Sequence, residues 1–126
     1  MRRIIVIIIA IISILPLCSV LANVESDPVF RWTTATLTSQ KEVSFSLRTI
    51  SVSDEIKVDQ CYLQKYENGS WTSTSLTPPS YVAQNSPSYV KTVDYSANIG
   101  TGTYRIKYRA NADGYTVIRY SNSYTY

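Results

Sequence analysis

Histidine is absent from all 126 residues, and cysteine occurs only twice. The first absence removes Ser-His-Asp and Cys-His nucleophile pairs, along with the commonest metal ligand. With two cysteines and no histidine, a zinc site lacks its ligand set. Glycine is also scarce. Its four residues, Gly69, Gly100, Gly102 and Gly114, sit at turn positions, and none belongs to a phosphate-cradling pattern. Acid–base chemistry is thereby left to carboxylates. Asp54 and Glu55 are adjacent and Asp59 follows, but a glycosidase needs two carboxylates facing across a cleft. A chain this short leaves little room for one. The pair reads as a solvated turn, or as a weak calcium ligand. These absences lead to the expectation of a protein that is not an enzyme and carries no cofactor.

What is present begins at the N-terminus with "MRRIIVIIIAIISILPLCSVLA". Arg2 and Arg3 precede an apolar run, Ile4 to Leu17, broken only by Ser13 and Pro16. Val20 and Ala22 then stand at the −3 and −1 positions of a cleavage site before Asn23. This is the three-part layout of a secretory signal peptide, and Pro16 ends its helix ahead of the cleavage site. An uncleaved membrane anchor is the competing reading, because Ile4 to Ala22 nearly matches a bilayer span. A lipidated Cys18 is a third, disfavoured by Pro16-Leu17 where small residues belong. The expected organisation is a signal helix over 1–22 and one domain over 23–126, exported from the cell.

Removing the signal changes the arithmetic. The 126 residues less 22 leave 104, and the 12 basic residues less Arg2 and Arg3 leave 10 against 9 acidic, so net charge falls from +3 to +1. Global basicity then gives no case for nucleic acid. About 104 residues suffice for one core without disulfide staples. Cys61 stands alone in the mature chain, so no intrachain disulfide is expected. Burial is the default for such a residue.

Past Asn23 no segment shows helical period. Tyr, Thr, Ser and Val dominate short runs separated by turn residues, the pattern of an all-β sandwich or barrel. Seven strands are expected at about 30–39, 42–51, 55–66, 70–76, 89–97, 102–110 and 115–124, with Pro78, Pro79 and Pro87 in one long loop. Val43, Phe45 and Leu47 alternate with polar residues and must share a face. Asn68-Gly69 is a strong two-residue hairpin signal. It pairs Glu67 with Ser70 and Tyr66 with Trp71, placing Cys61 and Leu63 inward and Tyr62, Tyr66 and Trp71 on the other face. The hairpin also accounts for Asn68-Gly69-Ser70, which matches a glycosylation sequon.

In the last hairpin a three-residue loop, Ala112-Asp113-Gly114, is expected in preference to a two-residue Asp-Gly turn. It sets Tyr108 opposite Ile118 and Ile106 opposite Tyr120 as one inward apolar face. Arg105, Lys107, Arg109 and Arg119 then share the opposite face.

"GTGTYRIKYRA" resembles the sixth strand of immunoglobulin-like and fibronectin type III-like sandwiches, where a tyrosine follows a glycine turn. The signal peptide with "YLQKYENGSW" and "GTYRIKYRA" is similar to a family of small secreted proteins of Gram-positive bacteria with such a domain, whose function is unknown. The resemblance covers the mature chain in strand count and spacing. It lacks the two-cysteine and core-tryptophan signature of true immunoglobulin domains. It implies a secreted location and a seven-stranded antiparallel immunoglobulin-like β-sandwich, and no activity.

That leaves surfaces. Eleven tyrosines and two tryptophans are many for one small domain, and tyrosine is favoured at binding surfaces for its rigid area and polar tip. Tyr104, Tyr108 and Tyr120 are expected in the core. In an immunoglobulin-like sandwich the third and sixth strands are neighbours. Tyr62, Tyr66 and Trp71 then lie beside Arg105, Lys107, Arg109 and Arg119, a mix suited to extracellular glycans, anionic polymers or a protein partner. The plainer reading is a solvated face on which basic stems cover rings. An alternative role is structural, with association through exposed strand edges, for which "TTATLT" and the final "SNSYTY" carry few guarding charges.

Overall fold

A computed structural model describes residues 27–126. The signal segment 1–22 lies outside the described residues. Among those described, no helix is long and apolar enough to cross a membrane. Seven strands form one antiparallel sheet: β1 (Phe30–Leu37), β2 (Glu42–Glu67), β3 (Ser70–Leu76), β4 (Ala83–Asp94), β5 (Thr103–Ala112), β6 (Tyr115–Tyr120) and β7 (Tyr124–Thr125).

The number of strands agrees with the expectation, but their identities differ. The runs 42–51 and 55–66 are one 26-residue strand, because Ser51 to Asp54 stay extended instead of turning. One edge of β2 pairs with β1 up to Thr49 and with β5 from Ile56 onward. The other edge pairs with β4 up to Ile56 and with β3 from Cys61 onward. The pairing with β4 shifts register between Arg48 and Ser53, so the sheet bends there. It curls into a half-barrel rather than dividing into two separate sheets. Pro87 lies inside β4, not in a loop. β4 pairs with β2 alone, and an edge strand tolerates a residue without an N–H.

Curling brings the two halves of the inner face together. Phe45 meets Tyr108 edge to face, with ring centroids 5.3 Å apart. Val43, Leu47, Ile56, Val58 and Ile106 are buried around them. Burying each such side chain contributes about 1.5–3 kcal/mol. Cys61 and Leu63 are inward and buried, as their alternation predicts. The thiol of Cys61 is pushed up to about 11 by burial.

β1 and β6 approach each other without exchanging a backbone ladder, and side chains close the seam. Asn122 accepts the Leu37 N–H through Oδ1 at 2.7 Å and donates Nδ2 to the Leu37 carbonyl at 3.1 Å. Asp27 Oδ1 accepts the N–H groups of Val29 and Phe30 at 2.8 Å each. Its Oδ2 accepts the Tyr115 hydroxyl at 3.2 Å and faces Arg119 at 3.8 Å.

Candidate functional site

Two hairpins and the β2–β5 pairing build the outward face of β3, β2, β5 and β6. The first hairpin turns at Asn68 (φ 52°) and Gly69 (φ 83°), both left-handed, and pairs Tyr66 with Trp71 and Glu67 with Ser70 as expected. β2 then pairs Tyr62 with Lys107, Gln64 with Arg105 and Gln60 with Arg109. Directly opposed residues share a face. Tyr62, Tyr66 and Trp71 therefore lie on one surface with Arg105, Lys107 and Arg109.

Arg119 does not join them. The last hairpin turns in two residues, Asp113 (φ 52°) and Gly114 (φ 89°), so Tyr108 faces Arg119 and Lys107 faces Tyr120. The three-residue loop expected from apolar pairing is not formed. The reason lies outside the hairpin. The Asp113 carboxylate accepts the N–H groups of Asp54 and Glu55 at 3.2 and 2.8 Å, and the Asp113 N–H donates to the Glu55 carbonyl at 3.0 Å. Docking the tip onto β2 holds Asp113 left-handed and fixes the register. Asp54 and Glu55 are thus extended strand residues rather than a turn. Among the described residues, no group of three or more ligand-type side chains could hold a metal.

The register turns Ile118 and Tyr120 outward, each about half exposed, instead of into the core. Tyr120 still finds a partner. The Arg105 guanidinium lies 4.2 Å from the centre of the Trp71 ring and 4.4 Å from that of Tyr120, bridging them. Its Nε donates to Gln64 Oε1 at 2.7 Å, and Gln64 Nε2 donates to Ser73 at 3.0 Å. Tyr66 meets Trp71 edge-on at 5.2 Å. The result is a ladder of rings and one guanidinium across four strands.

Arg105, Lys107 and Arg109 are not equivalent. Arg109 is held by Asp59, Nε to Oδ1 at 2.6 Å and Nη2 to Oδ2 at 3.1 Å, while Asn111 donates to the same carboxylate at 2.9 Å. Burial would raise the Asp59 pKa, but these hydrogen bonds and the guanidinium charge outweigh it and hold it below 3.8. Arg105 is occupied by its rings and Gln64. Lys107 sits 5.9 Å from the Tyr62 ring centre and has no carboxylate partner among the described residues. Beside it opens a cleft of about 220 Å³ lined by Gln60, Tyr62, Ser73, Lys107, Arg109 and Ile118.

Sequence reasoning missed Asp59, Gln64, Ile118 and Tyr120. Asp59 had a signal. Inward residues run Ile56, Val58, then Cys61, Leu63, so the alternation changes phase between 58 and 61. One extra residue must bulge there, and the pairing with β5 does shift between Val58 and Gln60. Gln64 is 7% exposed although it lies on the outward face, because the Arg105 stack covers it.

The fold and surface define an all-β antiparallel domain with an aromatic–cationic outer face. No protein-family profile matches the chain, and neither a curated protein nor a solved structure matches it.

Proposed function

We propose that the chain is an exported, non-catalytic binding module that takes its ligand on the outward face of β3, β2, β5 and β6. The observation that carries the reading is the cleft beside Lys107, whose lining combines Tyr62 and Ile118 with Gln60 and Ser73. Such a site suits an extracellular glycan or a short anionic stretch of a wall polymer. Sugar C–H faces stack on rings, and one acidic group pairs with one ammonium. Export rests on the three-part N-terminal segment. Kinship with immunoglobulin-like and fibronectin type III-like domains of Gram-positive secreted proteins rests on the segments "YLQKYENGSW" and "GTYRIKYRA".

The ligand is one that needs few charges. Arg109 is neutralised by Asp59 and Arg105 is committed to its rings, which leaves Lys107 as the cation free to meet it. Retention of the protein on acidic polysaccharide, teichoic acid and heparin beads tests this. Binding should weaken as salt rises, by about the amount expected of one exposed contact screened over about 8–10 Å. Lys107→Ser and Tyr62→Ala should each reduce retention. Arg119→Ser should leave it unchanged, because that residue faces Asp27 across the seam. Passage of the native protein through all three columns at low salt, or equal loss with Arg119→Ser, overturns the reading.

A further inference from the structure

The edges of the sheet differ in how they are protected. The β1 edge, expected to be open, has the backbone of Leu37 held by Asn122. The final segment is paired, Tyr124 with Tyr104 and Thr125 with Thr103. β4 carries Pro87, an exposed Lys91 and a left-handed Asn85 (φ 48°), each of which interrupts or guards an edge. β6 is tied toward β1 through Tyr115 and Arg119 on Asp27.

β3 has no such device. Its seven residues, Ser70–Leu76 ("SWTSTSL"), include no charge, proline or glycine. Thr72, Ser73, Thr74 and Ser75 are exposed, and among the described residues β3 pairs with β2 alone. The two-residue turn makes Glu67–Ser70 the first hydrogen-bonded pair. Backbone groups of Ser70, Thr72 and Thr74 therefore face β2, while those of Trp71, Ser73 and Ser75 point to the open side.

We propose that β3 is a self-pairing edge, joining two copies of this chain antiparallel about a two-fold axis at Ser73. In that register Ser73 faces its own copy, Trp71 faces Ser75 and Thr72 faces Thr74. All three outward-pointing residues of each copy are used, in about six main-chain hydrogen bonds. No like charges meet, and opposing hydroxyls suit cross-strand pairs. The contact is isologous and closes at two copies. A second copy fits better than a charged partner strand, because the edge offers no charge to complement. The outward faces of both copies then become one surface with Trp71 of each near the join. This inference stands whether or not that face binds a glycan.

The test is a disulfide across the axis in the full chain. Opposed strand residues have Cα atoms about 5.5 Å apart, within disulfide range. With Cys18→Ala, so that the buried Cys61 is the one other cysteine in the chain, Ser73→Cys should give a covalent dimer under mild oxidation. Thr34→Cys, exposed on the outward face of β1, should give only background. Adding Thr72→Glu and Thr74→Glu to the Ser73→Cys chain opposes carboxylates across the axis and should cut cross-linking at least tenfold. Circular dichroism should show the fold of that variant intact, since Thr72 faces Lys65 within its own chain. Cross-linking no greater than with Thr34→Cys, or unaffected by the two glutamates in a folded chain, overturns the proposal.

Discussion

Replacing Arg105 by lysine keeps the charge and removes the planar fork, so it isolates what the guanidinium does. In the structure one guanidinium serves three partners: the Trp71 ring at 4.2 Å, the Tyr120 ring at 4.4 Å and Gln64 Oε1 at 2.7 Å. A cation over a partly exposed ring contributes about 0.5–1 kcal/mol. A hydrogen bond from a charged donor contributes about 1.5–3 kcal/mol, and losing it leaves the buried Gln64 oxygen unpaired. The contributions share one group and do not add in full. Lysine keeps contact with one ring at most and has no fixed N–H directed at Gln64. The expected cost is about 2 kcal/mol. At about 4–8 °C per kcal/mol for a domain of this size, the thermal midpoint falls by roughly 8 °C or more. Arg119→Lys is the control, because that side chain is about half exposed and 3.8 Å from its carboxylate, a pair worth about 0–1 kcal/mol. Urea titrations of both variants give the comparison. A difference below about 0.5 kcal/mol would refute the view that the ladder is held by its arginine.

Asn122→Ala should destabilise by about 1–3 kcal/mol, because it leaves both backbone groups of Leu37 without partners at the β1–β6 seam. Amide exchange at Leu37 should accelerate more than exchange at Ile106. Native Cys61 should resist thiol reagents at pH 8 and react at once in denaturant, because it is 2% exposed with its pKa raised to about 11. Asp59 has its pKa lowered, so its stabilisation is complete above the unfolded value near 3.8 and is lost as pH falls through the lower folded value. Asp59→Asn should therefore flatten the acid limb of a stability–pH curve below about pH 4. It should also strengthen retention on acidic polysaccharide by freeing Arg109.

Much of the site was legible because it depends on local rules. Asn68-Gly69 sets its own turn, and that turn sets the register that puts Tyr66 beside Trp71. The alternation of Cys61 and Leu63 sets which face is inward. Placing 55–66 beside 102–110 then brings Tyr62 next to Lys107. The continuity of β2 was less legible, because "SVSD" reads as a turn from composition. Thr49 donates to the Ser51 carbonyl of its own strand and to the Pro87 carbonyl of β4, and the buried Ser53 pairs with Ser86 of β4, contacts that keep the segment extended.

The last hairpin shows how a local rule is overridden. Matching apolar to apolar favoured three loop residues and four cations on one face. The chain instead takes two loop residues, leaving Ile118 and Tyr120 about half exposed. That exposure costs less than it looks for Tyr120, which covers the Arg105 guanidinium, while Ile118, opposite Arg109, lines the cleft beside Lys107. The gain is made elsewhere, where the Asp113 carboxylate satisfies two strand N–H groups on β2 and Gly114 N–H reaches Asn111 Oδ1 at 2.9 Å. It also separates the charges. Sending Arg119 inward to Asp27 removes the cation that would have faced Lys107 across the strand pair, where like charges repel. With Asp59 holding Arg109, the outward face carries rings, one committed arginine and one free ammonium, and any ligand of this face must match that sparse charge.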